Sequence, residues 1–201
     1  MIITIDGNIG AGKSTLLTHL QKTYKYDIHL EPIDEWIPFL KDMYENSKDA
    51  FEFQVKVWND RCFTPYYSPH TMTCVERSPY FQWNVFSVAN FNNGKLNERQ
   101  MLLLKDLYTR PCYKPDIYIY LQSEPMKCME RIVQRDRNCE QGIEYEYVKN
   151  IHDLHENAFQ QLPTMKKFII NIENKTIHEI GKEVNYIIHK QRLIYMNEDR
   201  Y

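Results

Sequence analysis

Glycine is scarce in this chain of 201 residues: six occur in all, and three of them fall at Gly7, Gly10 and Gly12. That scarcity excludes a glycine-rich low-complexity chain and makes the N-terminal cluster stand out. Charge of one sign is lacking as well. The 25 basic and 27 acidic residues leave a formal net charge of −2. No global positive field exists to hold a long phosphate backbone, so polymeric nucleic acid is not an expected partner. Apolar runs fall far short of the ~20 residues of a spanning helix, and no membrane partner is expected. The five cysteines (Cys62, Cys74, Cys112, Cys128, Cys139) include no CxxC pair. Their odd number and irregular gaps argue against zinc and against a disulfide framework, and for a reducing compartment. Without a basic, apolar leader at the N-terminus, the expected location is cytoplasmic or nuclear.

What is present describes one soluble α/β domain spanning 1–201. Hydrophobic residues make up 43% and charged residues 26%, enough for a sizeable core. Strand and helix signals alternate, which predicts a largely parallel sheet. Strands are expected at Ile2–Ile5, Ile28–Leu30, 71–76, Asp116–Leu121 and Lys167–Ile172. Helices are expected at Lys13–Tyr24, Ala50–Phe63, Tyr80–Phe91, Glu98–Tyr108, Met126–Gln134, Glu146–Leu162 and Thr176–His189. A polar stretch follows Gln134, and a frayed tail is expected over about 191–201.

The glycine cluster carries the first chemistry. Gly7-Asn8-Ile9-Gly10-Ala11-Gly12-Lys13-Ser14 fits GxxxxGK[ST], with a strand before it and the amphipathic helix Lys13–Tyr24 after it, and with Thr15 it is the candidate ATP-binding segment. Glycines let successive backbone N–H groups turn inward on an anion, and the helix N-terminus adds partial positive charge. Lys13 can reach terminal phosphates, and the Ser14 hydroxyl can ligate Mg²⁺. The motif points to a nucleoside triphosphate. A GTPase would need a base-reading NKxD segment; Asn174-Lys175-Thr176 lacks its aspartate.

Glu31 follows the second expected strand, and Glu76-Arg77-Ser78 follows the third. Carboxyl ends of strands line the ligand crevice in open α/β sheets, so these groups should face the phosphate loop. One carboxylate could act as base toward an acceptor hydroxyl, and another could help organise Mg²⁺. Arg131, Arg135 and Arg137 form a basic segment that could close over a polyphosphate as a lid. His152-x-x-His155-Glu156 has no complementary cluster and is read as a surface or packing feature.

In these residues the chain resembles the deoxyribonucleoside kinases of the deoxycytidine, deoxyguanosine and mitochondrial thymidine kinase type, with their insect and viral relatives. The resemblance runs in order through Asp6–Ser14, Glu31-Pro-Ile-Asp-Glu-Trp36, Met43-Tyr44-Glu45, Phe53-Gln54, Glu76-Arg77-Ser78 and the lid Arg131–Ile143. It implies a P-loop kinase fold of five parallel strands flanked by helices. It implies ATP- and Mg²⁺-dependent phosphorylation of the 5′-hydroxyl of deoxynucleosides, in a homodimer. On this resemblance Glu31 is the base, Arg77 steers it and the phosphoryl group, and Ser14 and Glu76 hold Mg²⁺. Tyr44 and Glu140 would bind the 3′-hydroxyl, Gln54 would read the base edge, and Trp36 and Phe86 would pack around the base. Arg131 and Arg135 would reach ATP from the lid (about 131–143), and Glu173–Thr176 would approach its adenine.

The chain departs from the family pattern at Cys139, where the lid usually has a second acid. It departs again at Gln82, where an aspartate usually accompanies Arg61 in the base pocket. Gln82 cannot neutralise Arg61, so Arg61 is expected to be free to move. Its amide can accept from an amine or donate to a carbonyl. Both deoxycytidine and thymidine are therefore expected substrates. The alternatives are a thymidylate-type monophosphate kinase and a non-catalytic assembly subunit. The first would need extra cations and lack a base at Glu31. The second predicts erosion of Lys13, Ser14, Glu31 or Arg77, and all four are intact.

Overall fold

The computed structural model describes residues 1–46, 50–63, 71–111 and 113–198. Five parallel strands form one sheet: β1 (Ile2–Gly7), β2 (Asp27–His29), β3 (Thr73–Glu76), β4 (Ile117–Gln122) and β5 (Lys167–Asn171), in the order β2-β3-β1-β4-β5. Every residue of β1 is buried, as a central parallel strand covered on both faces requires. Its register sets Ile5 against Glu76 and Gly7 against Leu121, so the ends of β1, β3 and β4 meet at one edge.

Helices cover both faces. Ile117 and Ile119 of β4 join a core with Leu16, Leu17 and Leu20 of α1 (Lys13–Tyr24). Val184 and Ile188 of α9 (Ile177–Glu198) complete it. Tyr120, on the alternate face of the same strand, packs with Phe81, Val85, Ile151 and Phe159. Ile151 and Phe159 belong to α8 (Tyr145–Gln161). A separate helical cluster lies beyond the sheet edge. It joins Trp36, Leu40 and Met43 of α2 (Ile33–Asn46), Phe53 and Val57 of α3 (Ala50–Val57), and Leu104 and Tyr108 of α6 (Glu98–Tyr108).

Three departures from the sequence expectation matter. Helix α2 was not expected, because Pro32 reads as the stop of the second strand and no helix is assigned after it. Pro32 precedes the helix, and its carbonyl accepts from Glu35 and Trp36. Acids Asp34 and Glu35 sit in the first turn, where the helix dipole favours them. Second, the expected helices at 50–63 and 80–91 each contain a π-helical stretch, Trp58–Phe63 and Gln82–Ser87. The latter joins α4 (Pro79–Phe81) to α5 (Val88–Asn92). Third, α9 continues to Glu198 rather than ending at His189, so most of the expected tail is helix. Positions 199–201 and Cys112 lie outside the described residues, as does the side chain of Cys62. Cys74, Cys128 and Cys139 are free and buried. Among the described residues no helix is long and apolar enough to cross a membrane.

Candidate active site

A cavity of about 340 Å³ opens where β1, β2 and β3 end. This volume lies in the range of small-molecule sites. Its phosphate end is the turn between β1 and α1. Gly10 and Gly12 have φ of 79° and 81°, a conformation side chains resist. A Cβ on Gly10 would also collide with the Cys128 carbonyl of α7 (Pro125–Arg135). Asn8 braces the turn: its Nδ2 donates to the Val148 carbonyl, and its Oδ1 accepts from Ile9 N–H. Lys13 Nζ curls back to the Asn8 carbonyl at 2.9 Å. Burial, with the Arg77 cation nearby, pulls the Lys13 ammonium down to about 8.

Beside the turn, Ser14 Oγ donates to Glu76 Oε1 at 2.8 Å, and Glu76 Oε2 accepts from Glu31 N–H at 3.3 Å. Arg77 Nε donates to Glu31 Oε1 at 2.7 Å, with both side chains largely buried. Arg77 itself has φ of 67°, in the left-handed region, and its Nη1 reaches the Gly7 carbonyl at 3.4 Å. Strain of this kind is held only where surrounding bonds over-determine it. Here Asp6 Oδ1 accepts from both Ser78 N–H and Ser78 Oγ. Burial alone would raise the Glu31 carboxyl, but Arg77, Arg61 and Lys13 outweigh it and hold it down at about 2. Glu31 is therefore a carboxylate across the physiological range.

The far end of the cavity is apolar and aromatic. Trp36, Phe53, Val57, Gln82 and Phe86 line it. The Arg77 guanidinium lies 4.1 Å from the Phe86 ring centroid, occupying one ring face. Trp36 Nε1 donates to Asp60, which fixes the indole. Tyr44 and Glu140 also reach the cavity. Glu140 receives both Arg135 Nε (2.7 Å) and Nη2 (2.6 Å).

A family model described as deoxynucleoside kinase matches residues 3–194. The chain belongs to the deoxynucleoside kinase family. It is an enzyme of phosphoryl transfer. Among its relatives, protein 143R of Invertebrate iridescent virus 6 is 33% identical over 190 residues, covering 93% of this chain and 96% of that one. Deoxycytidine kinase 2 of Gallus gallus is 30% identical over 220 residues, covering 91% and 82%. In fold, a deoxyadenosine kinase from M. mycoides superposes with a TM-score of 0.80 over 94% of this chain and all of that one, at 22% identity.

Most residues expected from the sequence line one cavity, with three differences. Arg61 is not free: its Nη2 donates to the Arg77 carbonyl at 3.1 Å, and its Nη1 lies 3.7 Å from Glu31. The arginine thus pairs with Glu31, with no acid needed at position 82. Gln54 is fully buried and sits outside the cavity wall, while Gln82 is on it. Arg131 and Arg135 do not share a cavity. Arg135 reaches the main one, whereas Arg131 bonds Ser123 Oγ and lines a second cavity of about 270 Å³ with Gly12, Thr15 and Lys175. Sequence reasoning also missed Ser87, whose hydroxyl donates to Gln54 Oε1 at 3.0 Å. Only its five-residue spacing from Gln82 on an expected helix could have hinted at it. His155 is a packing residue: it is fully buried, stacks on Tyr120 and Phe81, and its Nδ1 lies 2.7 Å from the Ile151 carbonyl.

Proposed function

We propose that this kinase transfers the terminal phosphoryl group of ATP to the 5′-hydroxyl of several deoxyribonucleosides, including deoxycytidine and thymidine. The observation that carries this reading is the Arg77–Glu31 pair at 2.7 Å, set between the phosphate turn and an apolar aromatic end. A monophosphate acceptor would demand cations where this site presents a carboxylate. An assembly subunit would have no need of a strained arginine aimed at that carboxylate.

In this mechanism the Gly7–Thr15 turn holds the donor phosphates through its N–H groups, and Lys13 adds charge. ATP's adenine end runs toward the second cavity, past Arg131 and the Glu173–Thr176 loop. Ser14 and Glu76 form an all-oxygen pair of the kind that holds Mg²⁺ together with phosphates and waters. When bound, Mg²⁺ neutralises charge on the donor phosphates. Glu31 keeps its Oε1 on Arg77 and uses its other oxygen to accept the 5′-hydroxyl proton. So weak a base takes that proton late, after phosphoryl transfer is well advanced. Arg77 orients Glu31 and stabilises charge on the transferring group. Tyr44 and Glu140 hold the 3′-hydroxyl, and Arg135 couples Glu140 to the 131–143 segment, which closes as a lid. Trp36 and Phe86 hold the base, and the amides of Gln54 and Gln82 read it.

The homodimer expected for the family is supported by exposed Leu102 and Leu103 on α6 and Phe91 on α5. A cytoplasmic setting agrees with three free buried thiols. The decisive experiment offers ATP with a panel of deoxynucleosides and, separately, deoxynucleoside monophosphates. Monophosphates should appear from several deoxynucleosides. Turnover confined to monophosphate acceptors would overturn the proposal.

A further inference from the structure

The ends of β4 and β5 lie side by side, with Gln122 in register with Asn171. Side chains join the two loops that leave them. Ser123 Oγ donates to Glu173 Oε1 at 2.8 Å, and Glu124 N–H donates to the same oxygen at 3.1 Å. Arg131 Nη1 in turn donates to Ser123 Oγ at 3.0 Å. Ser123 is 2% exposed. A tight turn presents Glu173: Asn171 Oδ1 accepts from Glu173 N–H at 2.9 Å, and Asn174 has φ of 58°. Arg131 lines the second cavity, and neither Ser123 nor Glu173 is on its wall.

Proton counting fixes the direction of this chain. A guanidinium only donates, a carboxylate only accepts, and a hydroxyl has one proton to give. Ser123 therefore spends its proton on Glu173 and receives Arg131 on its oxygen. The carboxylate polarises the hydroxyl and makes that oxygen a stronger acceptor. Helix geometry delivers the arginine. Side chains of a helix lean toward its N-terminus, so Arg131 reaches back along α7 to the residue just before its first turn. The guanidinium is aimed without being neutralised: among the described residues Arg131 has no direct carboxylate partner. Arg135 on the same helix is the contrast, with two N–H groups on Glu140. The other side chains of the second cavity are apolar apart from Thr15 and Lys175, and Lys175 Nζ is paired with Glu183 at 2.6 Å.

We propose that Ser123 and Glu173 are positioning residues for the phosphoryl donor: through this hydroxyl relay they fix Arg131 on the wall of the second cavity and leave its charge for the adenosine end of ATP. The proposal rests on the reading of the protein as a kinase whose ATP extends into that cavity. It gives Glu173 a role exerted through Arg131, in place of the direct approach to adenine that the resemblance implies. A carboxylate placed directly on Arg131 would orient it as well but cancel its charge. The hydroxyl between them keeps orientation and charge apart. The deoxynucleoside occupies the other cavity, so the relay acts on one substrate only.

The test measures KM for ATP and for deoxycytidine, with thermal unfolding to confirm folding. Ser123→Ala and Glu173→Ala should each raise KM for ATP by about 5- to 30-fold, with KM for deoxycytidine within about twofold of wild type. Glu173→Gln should recover most of the loss, because its amide oxygen still accepts from Ser123 and from Glu124 N–H. Inorganic tripolyphosphate, which lacks adenosine, should inhibit the variants and the wild type equally. A double-mutant cycle isolates the route: Glu173→Ala added to Arg131→Ala should change KM for ATP by less than about twofold. Additive losses in that cycle, or a Glu173→Gln variant no better than Glu173→Ala, would refute the relay. So would tripolyphosphate inhibition that weakens in step with ATP. If Glu173→Ala does not fold, Ser123→Ala alone and on Arg131→Ala decides by the same criteria. Wild type that phosphorylates no deoxynucleoside would fail the kinase reading, and this proposal with it; normal turnover with an unmoved KM for ATP in the variants would fail this proposal alone.

Discussion

At the phosphate end of the cavity, the lining residues Ile9, Gly10, Gly12, Lys13, Ser14 and Thr15 all come from one turn and the start of its helix, and the positive φ of Gly7, Gly10 and Gly12 shapes that turn. At the base end, the working side chains come from α2, α3 and two π-helical stretches separated by tens of residues. The π geometry matters there. A wider turn rotates the side chains that follow it, and such turns gather at functional sites. Here Arg61 and the Gln82–Phe86–Ser87 set all sit on π-helical residues. One end is thus built by local backbone rules. The other is built by packing between remote segments. Under the proposed function phosphate is common to every turnover whereas the base varies, and the two construction methods match that division.

The largest effect should come from the junction of the two ends. Glu31→Gln keeps shape and removes the base, so kcat should fall by about 10²–10⁴ with ATP binding retained. Stopped kinetics on any deoxynucleoside would reveal it, and near-normal kcat would take Glu31 out of the mechanism. Next comes the phosphate end alone. Lys13→Ala should cost about 10²–10³ in kcat/KM, equally for every acceptor, because it touches the donor. A loss restricted to one nucleoside would erase the distinction between the ends.

A smaller effect isolates the base end. Gln82→Asp can only accept, and should shift kcat/KM toward deoxycytidine over thymidine by about 5- to 150-fold, a difference of 1–3 kcal/mol. A wild type that already discriminates by more than about 10⁴-fold would contradict an adaptable amide.

The smallest effect is electrostatic. Lys13 is depressed to about 8 in the ATP-free protein, so polyphosphate binding at about pH 8–9 should draw a proton onto it. Calorimetry of ATP binding in buffers of different ionisation enthalpy should register that uptake, and Lys13→Ala should abolish it. Glu31 behaves oppositely. Its folded-state pKa is lowered, so its contribution to stability is present above its ordinary value of 4.5 and is lost as pH falls toward about 2. The kcat/KM profile should therefore show no limb from Glu31 between about pH 5 and 8.

Legibility in the sequence follows the same boundary. The phosphate turn was readable because glycine at a positive φ, a β-branched run before it and a periodic helix after it are all local signals. That Glu31 and Arg77 face the phosphate turn was readable as two strand ends at one sheet edge, and their pairing as what the family resemblance implies. Helix α2 was not, since Pro32 reads as a strand stop and hides the helix start it in fact provides. The partner of Arg61 was not either. Gln82 suggested a loose arginine, whereas the fold delivers Glu31 to it at 3.7 Å.

By itself the sequence determined the parallel α/β plan, the phosphate turn and the acidic and basic groups around it. Each depends on backbone conformations that neighbouring residues impose within a few positions. Only the tertiary structure decided that Gln82 rather than Gln54 meets the cavity, that Ser87 joins them, and that Arg131 and Arg135 part company. Those outcomes depend on how π-helical stretches rotate their side chains and on which buried donors find acceptors. Both are settled when distant segments pack, because a buried polar group must then be paired by whatever the fold brings beside it.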